Sequence, residues 1–230
     1  VDDMTSDDSY TGTRRSLQAI GEHLLSAARY RATGRIGLRQ SPGGFGTPPF
    51  PSGHGDRRLR VDGVELVVTD DDGERRAPIT GGATLRELAA FAGVEPGAPA
   101  DVYTPATPLD LDRPLAIDGA ACRRVADWYA LTAGALERLG EQQPTEPADV
   151  QLWPEHFDLA TTIASVNYGG SPGDDDHPLP YLYVGPHQLP PPADPFWNEP
   201  FGASRSSGDV AGADAALEFF RRGAALVADG

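Results

Sequence analysis

The chain has 230 residues, 39% of them hydrophobic, with 34 Asp and Glu against 19 basic residues and a net charge of −15. That length can bury a real core, as one large domain or two small ones. So acidic a chain repels phosphate backbones and anionic lipid, which excludes nucleic acid and membrane surfaces as expected partners. Every basic residue is Arg, and Ala, Gly and Pro are abundant. A high-GC genome accounts for this usage, with halophilic adaptation as its rival. Gly 27 and Pro 22 make the chain loop-rich, yet short of the ~25–30% that signals disorder.

The acidic start, VDDMTSDDSYTG, has no basic region followed by an apolar one, so no secretory signal is expected and the location reads as cytoplasmic. Residues 1–12 read as a disordered tail, and 13–230 as a single domain with a subdivision near 141–149. Leu17, Ile20, Leu24 and Ala28 predict a helix over 14–33, capped by Thr13 and ended by Gly34. RIGLR reads as a short strand, and 41–55 as a Gly/Pro loop packing Phe45 and Phe50. Asp62-Gly63 and the DDDG at 70–73 predict the turns of an antiparallel meander over 57–79. Thr84 and Glu87 form a capping box for a short helix closed near Gly93. After an extended Pro-rich stretch, Asp118 caps a long helix over 119–139. Its inner face is Ala121, Val125, Trp128, Thr132, Ala135 and Leu139.

The second half opens with LWPEHFDLAT (152–161). A strand is expected from Phe157 to Val166, paired antiparallel with PYLYVGP and connected through GGSPGDDDHPLP. A C-terminal helix from about 210 turns Ala213, Leu217, Phe220, Ala224 and Val227 inward. The fold class is therefore α+β: antiparallel sheet packed with a long central helix and terminal helices. Cys122 lies in a helical pattern and reads as a buried thiol; alone, it allows no intramolecular disulfide.

The chemistry-bearing residues gather in the second half. With Val166 opposite Tyr181, His187 comes to the same strand end as Glu155, His156 and Asp158, and the DDDH at 174–177 lies at the other end. Two imidazoles and two carboxylates are the donor set of a hydrolytic metal site, so a divalent metal is the candidate cofactor, although no motif requires one. Spacing argues against it, because extended E-H-x-D puts Glu155 on the opposite face from His156 and Asp158. A polar ligand pocket walled by Trp153 and Trp197 is the metal-free version. DDDH lacks the alternation and terminal Glu of a calcium loop and reads as a turn. GGSPG matches G-x-S-x-G formally, but Pro172 after Ser171 has no N–H to serve as oxyanion donor. SPGGFG lacks the Lys and Ser/Thr of a phosphate loop.

GGFGTPPF (43–50), LWPEHFD (152–158), SPGDDDHPLPYLYVGP (171–186) and DPFWNEPFGA (194–203) together resemble a group of uncharacterised proteins from high-GC Gram-positive bacteria. That group has no assigned activity, so the resemblance implies genome and compartment but no site residue. The leading expectation is a cytoplasmic binding or accessory protein without catalytic machinery, with a homodimer as a candidate state. The alternatives are a hydrolase-like metal-dependent enzyme using Glu155, His156, Asp158 and His187, and a partner-binding structural domain presenting segment 190–201.

Overall fold

A computed structural model describes residues 2–53, 55–142, 148–188 and 194–228. The fold is α+β, with two antiparallel sheets, a long central helix and helices at both ends. Two compact units divide it: 1–127 with 152–157, and 128–151 with 158–230. The chain passes between the units within the long helix, after Asp127, and again after Gln151 and after Phe157. Of the expected subdivision at 141–149, residues 143–147 lie outside the described residues. Among the described residues no helix is long and apolar enough to cross a membrane.

In the first unit, helix α1 (Asp2–Ile20) passes through a π-turn (Gly21–Ser26) into α2 (Ala27–Thr33). It starts well before the apolar periodicity at Leu17, so Thr13 is an interior residue. Its hydroxyl accepts from the Asp118 N–H at 2.9 Å instead of capping the helix. Gly34 ends α2 as expected, at φ 70° with its N–H on the Tyr30 carbonyl, the left-handed closure that glycine makes without steric cost. Within the π-turn, Gly21 is needed because a Cβ would meet Phe45 at 3.4 Å and Phe157 at 3.6 Å. The π-turn also buries two consecutive polar residues, Glu22 and His23; such bulges recur where a helix carries a functional or positional demand.

The sheet of this unit contains β1 (Arg39–Ser41), β2 (Gly44–Gly46), β3 (Phe50–Ser52), β4 (Gly55–Asp62), β5 (Glu65–Asp70) and β6 (Gly73–Pro78). Its order is β1-β2-β4-β5-β6, with β3 also on β4. The meander at 57–79 is present, with Gly63 at φ 60° in its first turn. The register Asp62↔Glu65 makes Gly63-Val64 the loop, one residue later than expected. The Gly/Pro segment does hold strands: β2 lies so close to β4 that Cβ atoms at Gly44 and Gly46 would come within 2.6 Å of backbone oxygens. Phe45 and Phe50 are buried, as expected. Helix α3 (Leu85–Ala92) has the full Thr84/Glu87 capping box and ends at left-handed Gly93.

Helix α4 (Gly119–Gly140) begins with Asp118 accepting the Ala121 N–H at 2.8 Å, and every residue of its expected inner face is buried. Cys122 is buried too, and burial raises its thiol to about 11, which keeps it protonated and unreactive at neutral pH.

A short β7 (Gln151–Trp153), of which Leu152 and Trp153 belong to the first unit, precedes the second unit's meander β8 (Asp158–Ile163), β9 (Val166–Ser171), β10 (Tyr181–Pro186) and β11 (Ala203–Ser206). The single strand expected over 157–166 is interrupted by a tight turn at Ala164-Ser165, with φ values of 49° and 64°. This conformation is usually supplied by Asn or Gly, and neither marks it here. Consequently Val166 pairs with Pro186, and Ser171 pairs with Tyr181. Leu182 and Val184 point to the helical side, where they pack with Leu136, Leu139, Leu217 and Phe220 of α4 and α5 (Ala213–Ala228). Ala213 is exposed, and Ala216 and Phe219 take the inward positions instead.

Candidate functional site

The corrected register rearranges the candidate residues. Asp158 lies beside Ser171 and Tyr181 at one end of the second sheet. His187 sits at the other, its N–H on the Ser165 carbonyl at 3.0 Å and its ring 3.3 Å from the Asn167 amide oxygen. The length of β9, Val166 to Ser171, separates those ends, about 17 Å. His187 and Asp158 therefore do not converge. It is the DDDH loop, assigned from sequence to the far end, that joins Asp158.

Glu155 and His156 belong to the first unit, in a turn closed by the Phe157 N–H on the Trp153 carbonyl at 2.7 Å. This turn replaces the extended chain assumed for E-H-x-D. Trp153 is half-buried and His156 is exposed. The Glu155 carbonyl accepts from the Gln18 amide at 3.3 Å, while its buried Oε2 has no hydrogen-bond partner among the described residues. Among the described residues no three His, Cys, Asp or Glu come together as a metal would require.

The π-turn makes a polar cluster inside the first unit that the sequence did not announce. Glu22 accepts from the Ala106 N–H at 2.8 Å, the Thr107 N–H at 2.9 Å and the Thr107 hydroxyl. Its carboxyl is nevertheless held above the ordinary range: burial dominates, against the opposing pull of these bonds. His23 receives the Ala98 N–H on Nδ1 at 3.2 Å and places Nε2 2.9 Å from the Thr107 carbonyl. One acceptor and one donor nitrogen satisfy both contacts, which is the neutral tautomer protonated at Nε2. Burial, then the charge of Glu22, raises the Tyr103 phenol. The arrangement clamps segment 97–107 onto the helix.

In the second unit the polar groups surround a cleft of about 790 Å³ along the outer edge of β11. The chain reaches it through a loop tied down by Asp174. Its Oδ1 accepts the N–H groups of Asp176 and His177 at 2.9 and 2.7 Å, and its Oδ2 accepts the Tyr181 hydroxyl at 2.6 Å. DDDH is thus a turn, as expected, and an anchoring one. Tyr183 lies over Gly169, where a Cβ would fall 2.5 Å from the ring, and donates to Asp158. Burial is the main cause that raises both phenols, with the neighbouring carboxylates adding to it. Tyr181 and Tyr183 therefore stay protonated donors and supply neither a base nor a nucleophile.

The lining of the cleft includes His177 and Glu199, 3.2 Å apart, and Ser204, whose hydroxyl donates to the same Glu199 oxygen at 2.7 Å. Asn198 closes the free edge of β11, taking the Ser204 N–H at 2.9 Å and donating to its carbonyl at 3.2 Å. Pro178, Leu179 and Pro195 give the cleft its apolar floor. The buried rings of Phe196 and Phe219 lie beneath guanidiniums, Arg222 over the first at 5.3 Å and Arg205 over the second at 4.9 Å. Trp197 packs edge-to-face on Phe196 at 4.9 Å and against the core. Glu199, Ser204, Arg205 and Phe219 carry no sequence signal of their own. The one available hint was the aromatic DPFWNEPFG segment.

Asp158 is only 8% exposed, so losing the phenol removes a charge-assisted hydrogen bond from a buried carboxylate. Tyr183→Phe is expected to cost about 2–3 kcal/mol in urea unfolding. Tyr181→Phe is expected to cost less, because half-exposed Asp174 keeps two backbone donors. Equal costs would show that burial of Asp158 does not set the difference.

No family model matches this chain, and no curated protein or solved structure matches it.

Proposed function

We propose that this protein is a cytoplasmic binding or accessory protein, without hydrolytic machinery, that holds a small molecule in the cleft beside β11. The observation that carries the reading is the order of the polar side chains there. A nucleophilic relay runs from hydroxyl to imidazole to carboxylate. Here Ser204 and His177 both address the same Glu199 oxygen, so the imidazole is not placed to take the serine proton. What remains is an apolar floor with fixed donors and acceptors, in a volume that suits a small organic ligand.

The test is backbone amide shift mapping of the full chain with a panel of fragment-sized acids, amines and neutral aromatics. Binding fragments are expected to shift Tyr181, Glu199, Ser204 and Arg205 together, and Ser204→Trp, which fills the cleft, is expected to abolish those shifts. Shifts centred elsewhere, or unchanged in Ser204→Trp, would reject the cleft as the site.

A further inference from the structure

Given that reading of the cleft, we propose that its ligand class is a small monocarboxylate with an apolar body, the carboxylate held by Arg205. The two guanidiniums at the cleft differ in one respect. Arg222 is already paired with Asp194 at 3.0 Å. Arg205 has no carboxylate within ion-pair distance among the described residues, and its guanidinium lies over the face of Phe219 at 4.9 Å. A guanidinium laid on a ring keeps its N–H edge directed outward, in the fork that matches a planar carboxylate.

The cross-strand partner of Arg205 is Leu182, whereas Ser204 faces Tyr183. Arg205 thus reaches the cleft from the apolar side of the sheet, next to Phe196 and Phe219, and Ser204 reaches it from the polar side. A ligand that meets Arg205 has Pro178, Leu179 and Pro195 of the same lining as the apolar surface for its remainder. The charge balance limits the anion. Asp176, Glu199 and Asp209 also line the cleft. Their charge opposes any anion, and a phosphate dianion more than a monoanion, so a single negative charge in direct contact with Arg205 is the most the site offsets.

The experiment compares three near-isosteric probes on the full chain by amide shift titration: 3-phenylpropanoate, 3-phenylpropanamide and 3-phenylpropylamine. The carboxylate is expected to bind about tenfold or more tightly than the amide, the size of one charge-assisted hydrogen-bonded contact. Arg205→Gln is expected to bring it down to the level of the amide, while Arg138→Gln, outside the cleft lining, changes it less than about threefold. Far-UV circular dichroism confirms that each variant is folded. Equal affinity for carboxylate and amide, or preference for the amine, with shifts still in the cleft, overturns the carboxylate assignment and leaves the cleft as a binding site. If none of the probes shifts the cleft residues, this inference is overturned; the broader panel decides the cleft itself.

Discussion

Replacing Glu22 with alanine is expected to destabilise the first unit by about 3–5 kcal/mol, read as a shift in the urea midpoint. Three donors lose their acceptor at once: the N–H groups of Ala106 and Thr107, and the Thr107 hydroxyl. Thr107 is buried and Glu22 is fully so, and each stranded buried donor costs about 1–3 kcal/mol, with partial relief from relaxation or water. Loss of the clamp is also expected to speed amide exchange in 97–107. A change below about 1 kcal/mol would mean that this segment is held by other contacts.

The same residue has a signed pH dependence. Burial holds the Glu22 carboxyl above its ordinary value, so the folded state binds its proton more tightly than the unfolded state does. Its linked stability is fully present below the unfolded value of about 4.3 and declines as pH rises through the raised folded value. Other carboxylates titrate in this window, so the measurement is the stability difference between the wild-type protein and Glu22→Gln. That difference is expected to favour the wild type most at acid pH and to fall towards neutrality. A difference that grows with pH would reverse the sign and show that the three hydrogen bonds outweigh burial.

The second large effect is expected for Phe220→Ala, about 3–5 kcal/mol. Phe220 is fully buried, meets Tyr168 edge-to-face at 6.0 Å and packs among Leu136, Leu182 and Val184. Truncation removes the apolar area of the ring and leaves a cavity that α5 closes only partly, because Gly223 one turn on sits so near Val184 that a Cβ there would lie 2.9 Å from it. Phe220→Leu is expected to retain most of the stability. An alanine variant within about 1 kcal/mol of the wild type would show that the site collapses or was not well packed.

Much of the local structure was legible because its signals are local. The Thr84/Glu87 box, the Asp118 cap, the inner face of α4, the closures at Gly34 and Gly93 and the alternation of PYLYVGP all rest on contacts within a few residues. The two largest misreadings share one cause. The turn at Ala164-Ser165 and the short β2 and β3 were hidden because their residues lack strong turn or strand preferences, and tertiary contacts overrode weak propensity. Missing that turn moved the register of β9, and with it the partner of every polar residue in the second unit. Asp158 exchanged His187 for Tyr183, Tyr181 and the Asp174 loop.

The sequence by itself determined the α+β class, the acidic composition, the burial of Cys122 and the α4 core face, since composition and periodicity act through solvation and do not depend on distant partners. Only the tertiary structure decided which carboxylates meet which aromatics, that Glu22 and His23 are buried together, and that Arg205 lies on Phe219 beside Glu199 and Ser204. Those juxtapositions depend on strand register and on helix placement against a sheet. A two-residue turn changes both without altering the hydrophobic pattern from which they were read.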